Sequence, residues 1–580
     1  MRSFQTVCLL LFCLLLQINQ LSAQPDNGKP FGYGMNLGYY APDYVDLPLA
    51  ELAHDLGSST IRVGGYHHFF DFFGFAVRLP QFEAYEQMGL TDIEVICGYP
   101  APWAKAPHSN SFLNLYEPIR LGDGAVNPNN YFAFYMDQLS STYAGLIGTY
   151  QIWNEPDVDL CGCGWAPASE PVNWWTQDPA ADQFVLGSDI YSYIRMLRIA
   201  REVVKQNDPQ AKIAVGGLGW PSFWDAILRN TDNPSNGDLT DKYNLKGADL
   251  VDVLDIHYYP HFNGVRQWSN AIGGFEYHRN SDALADATLL YVDKFQGVSM
   301  ERTGNRFPVR ISETNVPRKQ FQDFVGSDEA QANYIAKLMV LAQMRPDIQA
   351  IDFYALGDEQ AMSTNSQNEF AYMGLVQNLT GITPPDYVPN LAAQAYGTVS
   401  KTLLGKHFDP TKTNAMGLPA NIRGGCFTDG VTDEYVLWAV TTGDQTEVAT
   451  ATYDFAAINL QSLVQRNWDW SATGITTVIN STVVLDGAPK YFTPNGITGT
   501  TELKVEYSLS PNPTEGTSVY CSDQEKGDVL EAYDLTGRII WSAPLQDRCQ
   551  SVCLDQSGNY VLVQRREGKV IVTSKLFVFK

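Results

Sequence analysis

The 580-residue sequence predicts an α/β protein: a (β/α)8 barrel of the TIM type, a β-sandwich companion domain, and a small C-terminal immunoglobulin-like β-sandwich. Three observations predict it. From Gly32 to about Gly405, short β-rich runs alternate with longer helical patterns, the mark of a parallel α/β fold. From 406 to 493, apolar and polar residues alternate in short runs between Gly, Asp and Pro turns, as in a sandwich. From 508 onward, short alternating strands are again punctuated by Gly and Pro. The chain divides accordingly into a leader at 1–23, a barrel at 24–405, a companion sandwich at 406–500 and a terminal domain at 501–580.

Within the barrel, strand candidates lie at 33–37, 60–63, 93–97, 149–154, 212–216, 251–257, 309–313 and 348–354. Helical patterns between them include 48–56, 189–206, 282–298 and 329–343, which suits eight strand-helix units with long loops. No Gly-x-Gly-x-x-Gly follows the first strand and no Walker sequence is present, which disfavours a nucleotide fold. The companion segment follows the last barrel helix without a Ser/Gly/Pro-rich linker, so it reads as a structural partner of the barrel rather than a free binding module.

Lys plus Arg total 39 against 64 Asp plus Glu, a net charge of -25, which argues against nucleic acid or an anionic membrane as partner. Hydrophobic residues make up 44% and aromatics 12%, enough for a large core and a surplus of rings, and incompatible with general disorder. Arg2, the apolar run 7–16 and Leu21-Ser22-Ala23 form a secretory leader pattern, with the mature chain starting near Gln24. That run is too short to span a bilayer and no later run is long enough, so no membrane span is expected and the mature protein is expected to be soluble and exported. Cys13 lies inside the apolar run behind bulky Phe12, a poor lipid-attachment site. Of nine cysteines, removal of Cys8 and Cys13 with the leader leaves seven. The expected pairing is Cys521 with Cys549 or Cys553, and Cys161-Gly162-Cys163 reads as a loop disulfide or plain packing, since its spacing does not fit a zinc knuckle.

In a barrel of this kind chemistry sits at the C-terminal ends of the strands. Four strand ends are rich in polar groups: Arg62-Val63-Gly64-Gly65, Trp153-Asn154-Glu155-Pro156, His257-Tyr258-Tyr259 and Ser312-Glu313-Thr314. Two of them carry a carboxylate, Glu155 and Glu313. A carboxylate pair across a cleft is the minimum for glycosidic bond cleavage, one protonating the leaving oxygen and the other meeting the oxocarbenium-like centre. Taken singly each Glu is more often a solvated loop charge; the pair at strands four and seven, with Asn before the first, is what points to chemistry.

This series resembles glycoside hydrolase clan A, the retaining (β/α)8 glycosidases, whose acid/base Glu follows an Asn at the end of strand four and whose nucleophile Glu ends strand seven. The resemblance spans Gly32 to Gly405 and implies Glu155 as acid/base and Glu313 as nucleophile. Arg62-Val63-Gly64-Gly65 is similar to the strand-two motif of the xylosidase, iduronidase and arabinofuranosidase branches, which carry Pro where Val63 stands. Run 483–492 resembles the closing strand of the β-domain beside many clan A barrels. The order Ser510-Pro511-Asn512-Pro513, Asp534-Leu535-Thr536-Gly537-Arg538, Gly558-Asn559-Tyr560 resembles the C-terminal sorting domain of the type IX secretion system, implying that export machinery as a partner and a secreted or cell-surface location.

The chemistry assigns further roles. Glu313 must be ionised to attack, and Arg62 and Tyr259 are the candidates to keep it so. Glu155 must hold a proton for the first step and lose it to activate water in the second. Asn154 can donate to the sugar 2-hydroxyl, and His257 either orients Glu155 or contacts the sugar. Trp103 and Tyr354, with Trp165, Trp174, Trp175 and Trp220, are candidate sugar platforms. The insertion 158–182 should form a cleft wall. His67, His68 and His261 lack the accompanying carboxylate spacing of a metal site, so no metal and no cofactor are expected. The expected function is a retaining glycosidase acting on a poly- or oligosaccharide. The alternatives are a non-catalytic glycan-binding protein on the same barrel and a barrel enzyme of metal-dependent chemistry.

Overall fold

The computed structural model describes residues 30–38, 40, 44–262, 265–495, 507–510, 517–522, 528–534, 538–545, 549–566 and 569–578. The expected leader at 1–23, with Cys8, Cys13 and the start at Gln24, lies outside them. The chain forms two compact units, 1–495 and 496–580. The segments expected as barrel and companion sandwich both lie in the first unit.

Strands run in the order β1 (Gly32–Met35), β2 (Arg62–Gly64), β3 (Glu94–Cys97), β4 (Thr149–Ile152), β5 (Lys212–Ala214), β6 (Leu254–His257), a hairpin of β7 (Arg266–Ser269) and β8 (Gly274–Tyr277), β9 (Val309–Thr314) and β10 (Ile348–Phe353). Setting the hairpin aside, all pair in parallel as two four-stranded sheets, β2-β3-β4-β5 and β1-β10-β9-β6. Parallel bridges Asn36↔Arg62 at one junction and Ala214↔Val253 and Leu218↔Ile256 at the other join the sheets, so the pairing runs through eight strands and returns to the first. Both faces of these strands are covered, which is why β3 and β4 are buried at every residue.

Helices lie between the strands: α1 (Leu47–Leu56), α2 (His67–Phe73), α3 (Leu79–Gln87), α4 (Tyr131–Thr142), α5 (Ile190–Asn207), α6 (Pro221–Arg229), α7 (Ser281–Thr303), α8 (Asp328–Gln343) and α9 (Leu391–Leu403). Their starts follow from local chemistry. Asn130, Asp189, Asn280 and Ser327 each accept a backbone N–H of the first turn, at α4, α5, α7 and α8.

The inside of the ring is charged where such a core is ordinarily filled by branched apolar side chains. Arg310 grips Asp352 with Nε at 2.6 Å and Nη2 at 2.8 Å, and its Nε lies 3.1 Å from Glu94. Gly34 faces Asp352 in register, and a Cβ there would fall 1.9 Å from the carboxylate oxygen.

The rest of the first unit is a sheet in the order β11-β12-β13-β18-β15-β16 and a two-stranded ladder β14-β17. Its strands are β11 (His407–Asp409), β12 (Ile422–Thr428), β13 (Asp433–Ala439), β14 (Thr450–Asp454), β15 (Ser462–Arg466), β16 (Thr476–Asn480), β17 (Thr482–Asp486) and β18 (Lys490–Pro494). The run 483–492, read as a single closing strand, is two strands in different sheets. Asp486 turns the chain by accepting the N–H of Ala488, and Gly487 packs where a Cβ would lie 2.0 Å from the Glu447 carbonyl oxygen.

The second unit is two antiparallel sheets, β19-β20-β23 and β22-β21-β24-β25, built from β19 (Tyr507–Ser510), β20 (Thr517–Ser522), β21 (Val529–Tyr533), β22 (Ile539–Pro544), β23 (Cys549–Cys553), β24 (Gly558–Arg566) and β25 (Lys569–Val578). They enclose a small core around Leu530, Val552, Tyr560 and Leu562. Cys521 and Cys549 are opposite each other in the β20–β23 register, their side chains lying outside the described residues, while Cys553 carries a free thiol. Of the two partners expected for Cys521, Cys553 is therefore excluded.

Candidate active site

β4 ends in a strained turn. Trp153 and Glu155 both take left-handed backbone angles, φ 71° and 48°, at a cost of about 1–2 kcal/mol each for a residue with a Cβ. The surroundings hold them there: Trp153 N–H donates to the Cys97 carbonyl at 2.7 Å and Glu155 N–H to that of Gly216 at 2.5 Å. The Trp153 indole stacks on Tyr99, 4.8 Å between centroids, and lies over Gly98, where a Cβ would come within 2.7 Å of the ring. The turn carries the Glu155 carboxylate to the mouth of the ring.

Glu313 arrives by a bulge. β9 runs level with β6 up to Ile311, then His257 of β6 faces Glu313, and against β10 the step from Ile351↔Ile311 to Phe353↔Thr314 likewise takes three residues of β9 for two of its neighbour, so β9 holds one extra residue there. Strict alternation would send Ser312 and Glu313 to opposite faces; the bulge lets both serve the mouth. Arg62 Nη1 donates to Glu313 Oε1 at 2.7 Å and the Tyr259 hydroxyl to Oε2 at 2.6 Å. Arg62 is itself fixed by Asn36 and Gln151, both at 2.7 Å, and by the Asn154 carbonyl oxygen at 2.5 Å, which leaves the Asn154 amide nitrogen free to donate. His257 joins the two carboxylates: its Nδ1 lies 2.9 Å from Glu155 Oε1 and 3.6 Å from Glu313 Oε2. Ligating atoms of Glu155, His257 and Glu313 all lie within 4.8 Å of one another.

The electrostatics are unequal. Burial pushes the Glu313 carboxyl up, but the charges of His257 and Arg62 and the hydrogen bonds from Tyr259 and Arg62 outweigh it and leave it below the ordinary carboxylate value. Burial also opposes the charged form of His257, yet Glu313 and the bond to Glu155 carry it above the ordinary imidazole value. Burial, then the Glu313 charge, raises Tyr259 well above an ordinary phenol, so it remains a donor. Asp157 is pushed by burial to about 7, against the N–H groups of Trp220 and Gly219 that it accepts.

A cleft of about 340 Å³ opens beside Glu155, lined by Tyr99, Lys105, Trp153, Asn154 and Val158. A second, of about 370 Å³, shares Lys105 with it and extends to Leu160 and Asp182. The insertion after Glu155 thus supplies part of the wall.

These strand-end residues stand in one fold neighbourhood. Among solved structures, a family 39 glycoside hydrolase from the gut symbiont Bacteroides cellulosilyticus WH2 is similar over 80% of this chain and 81% of its own, at 16% identity and a TM-score of 0.51. The chain shares that fold. A monomeric beta-xylosidase from Caulobacter crescentus CB15 is similar at 13% identity over 80% of this chain and 96% of that one, with a TM-score of 0.48. A GH30 endoxylanase from Clostridium papyrosolvens C71 is similar at 11% identity over 80% and 99%, with a TM-score of 0.40. No protein-family model and no curated protein matches the chain.

Of the residues expected at the site, Arg62, Asn154, Glu155, His257, Tyr259 and Glu313 converge. Tyr354 stands edge-on to Tyr259 at 6.3 Å and donates to Glu359, on the same side as Glu313. Trp103 is half exposed, its indole N–H donating to Asp71 and its ring against Tyr131. Trp174 is core, edge-on to Phe223, whereas Trp165 is exposed and packs on Trp220. Asn36 and Gln151 belong to the site and went unnoticed in the sequence, since each is a lone amide in an apolar strand, and Ser312, part of the polar end of strand seven, was given no role.

Two groups of side chains among the described residues have the spacing to hold an ion. In the Glu155, His257, Glu313 group, both Glu313 oxygens are taken by Arg62 and Tyr259, and the guanidinium repels a second cation. In the other, Cys161 and Cys163 form a disulfide, and Asp159 accepts the N–H groups of Cys161, Cys163 and Gly164. Neither donor set suits a metal. His67 accepts the Ala101 N–H and is buried away from both groups.

Proposed function

We propose that the chain is a retaining glycoside hydrolase on a (β/α)8 barrel, acting on a poly- or oligosaccharide with Glu313 as nucleophile and Glu155 as acid/base. The observation that carries this reading is the closeness of the two carboxylates, one oxygen of each lying within 4.8 Å of the other, which favours the roughly 5 Å spacing of retaining enzymes over the wider gap of inverting ones. In the first step Glu313 attacks the anomeric carbon, the bond to the leaving oxygen breaks, and that oxygen takes the Glu155 proton. In the second, water attacks the glycosyl carbon, its proton passes to Glu155, and the bond to Glu313 breaks. Arg62 and Tyr259 keep Glu313 ionised for attack and stabilise it as a leaving group. Asn154, its carbonyl held by Arg62, presents its amide to the sugar 2-hydroxyl.

The test is hydrolysis of a panel of aryl glycosides and plant and algal polysaccharides, with the product anomer followed by NMR. Retention is expected, and inversion would sink the mechanism. Glu313→Gln should lose at least about 10⁴-fold in turnover. Glu155→Ala should lose most with poor leaving groups and recover with azide, which replaces the water without needing a base. A protein that binds glycans without cleaving them would be unaffected in turnover by either change. The leader pattern and the tail motifs support export through the type IX machinery, with residues 501–580 as the address; deleting them should leave the protein behind the outer membrane instead of outside the cell.

A further inference from the structure

The strand-six histidine is held from three sides. Its Nδ1 faces both carboxylates, its Nε2 lies 2.9 Å from the Ser312 hydroxyl, and Gly217 lies flat against its edge. A Cβ on Gly217, whose φ is 63°, would sit 2.1 Å from Nε2. One step back on the same strand face, Asp255 is fully buried, and neither of its oxygens accepts a well-formed hydrogen bond. Ser312, His257, Arg62 and Arg310 all bear on it, with Glu94 the nearby acid. With Glu94 held towards its neutral form by burial, the interior sets three carboxylates, Asp255, Asp352 and Glu313, against two guanidiniums, Arg62 and Arg310. A third cation is needed to approach balance, and His257 is the group placed to supply it.

We propose that His257 works as an imidazolium shared by the two carboxylates, pairing with Glu313 in the free enzyme and with Glu155 in the glycosyl-enzyme, and that Ser312 and Asp255 are positioning residues that hold its charge. This rests on the glycosidase reading of the same site. The charges balance at each stage. Before attack, Glu155 carries its proton, Glu313 is the anion, and the imidazolium neutralises it. When Glu313 bonds to the anomeric carbon it becomes a neutral ester, Glu155 has given its proton to the leaving oxygen, and the new anion lies 2.9 Å from the same Nδ1 proton. Hydrolysis reverses both changes. The imidazolium proton stays on Nδ1 throughout, Nε2–H donates to the Ser312 hydroxyl, and Asp255 acts on the ring through its charge. The raised affinity of His257 for its proton agrees with a charged ring at neutral pH, and Asp255, although burial pushes it up to about 6, still titrates below neutrality.

The experiment is ¹⁵N NMR of the full chain labelled at histidine, with His257 assigned by His257→Gln. Imidazolium shifts at both ring nitrogens are expected at about pH 7.5, above the ordinary imidazole midpoint. Glu313→Gln imitates the neutral ester and should leave His257 charged, through Glu155, whereas Glu155→Gln/Glu313→Gln together should return it to the neutral ring. A neutral ring in the wild type at the pH of maximal kcat/KM would overturn the proposal. Asp255→Asn should shift the alkaline limb of kcat/KM down by about one pH unit, since the imidazolium loses its buried counter-charge. A merely structural Asp255 would lower kcat without moving the limb. If Asp255→Asn does not fold, Ser312→Ala and the wild-type spectra decide. If the protein hydrolyses no glycoside, the functional reading fails, and the spectra still report whether the cation is present.

Discussion

Arg62 spends one guanidinium on four side chains, and its planar fork is what makes this possible: a lysine has the charge without the geometry. Arg62→Lys should therefore lower kcat/KM by about 10²-fold or more, because Asn36, Gln151 and Asn154 lose their common donor while Glu313 keeps only a point charge. Tyr259→Phe makes a cleaner change. The Glu313 carboxyl lies below its ordinary value, so its ionised form persists as pH falls until that lowered value is reached. Removing the Tyr259 hydrogen bond raises the value, and the acid limb of kcat/KM should move to higher pH by about one unit, read from a pH–rate profile. An unmoved limb would mean that Tyr259 does not act on the nucleophile. At this scale the sequence was informative where a charged residue stood alone at a strand end, as with Arg62, Glu155 and Glu313. It was silent on Asn36 and Gln151, because a single amide in an apolar strand looks the same whether it faces a site or a helix, and it placed Ser312 at the strand end without a role for it.

Among elements, the decisive ones are the β9 bulge and the loop after β5, and neither was legible. A bulge changes register without changing composition, and Val309–Thr314 reads as an ordinary buried strand ending in a carboxylate. The four helices expected from their pattern all appear, at α1, α5, α7 and α8. The aromatic run His67–Phe73 and the short Pro221–Arg229 segment form helices as well, the first without a clear helical period and the second begun by a proline in its first turn. In the β5 loop, Gly216 ends the strand expected at 212–216, and nothing in the sequence sets Gly217 apart. The first glycine is pressed against the carbonyl oxygens of Ile152 and Trp153, and the second against His257. Gly217→Ala must adopt a left-handed backbone and displace the imidazole. It should cost about 2–4 kcal/mol in denaturant unfolding and abolish turnover together, the sum of the backbone penalty and overpacking. Normal activity in the alanine variant would show that His257 has room to move and does not need that wall.

In the first unit as a whole, the parallel ring and the sandwich share a core, and β13 shows how. Tyr435, Leu437 and Ala439 point into the sandwich's own cluster, while Val436 and Trp438 belong to the cluster that fills the space under the ring's helices. An uninterrupted apolar run, Tyr435-Val436-Leu437-Trp438-Ala439, was the trace of this in the sequence: a strand buried on both faces does not alternate. The polar seam is as specific. Lys337 of α8 is fully buried and donates to Asp282 of α7 at 2.7 Å, and Asp282 also accepts the Trp438 indole N–H and the Thr441 N–H, both at 2.9 Å. Glu447 closes the seam by accepting from Ser281 and Asn333. Asp282→Ala leaves a buried ammonium without its near counter-ion and two donors without an acceptor, and should cost about 3–5 kcal/mol. Because the seam joins the ring to the sandwich, the loss should fall on both at once: unfolding followed by tryptophan fluorescence and by far-UV dichroism should shift together, in one transition. Lys337→Met in the Asp282→Ala background removes the orphaned charge and should recover part of the loss. Two separated transitions, with the ring melting at the wild-type midpoint, would show instead that the sandwich is an independent domain appended to it.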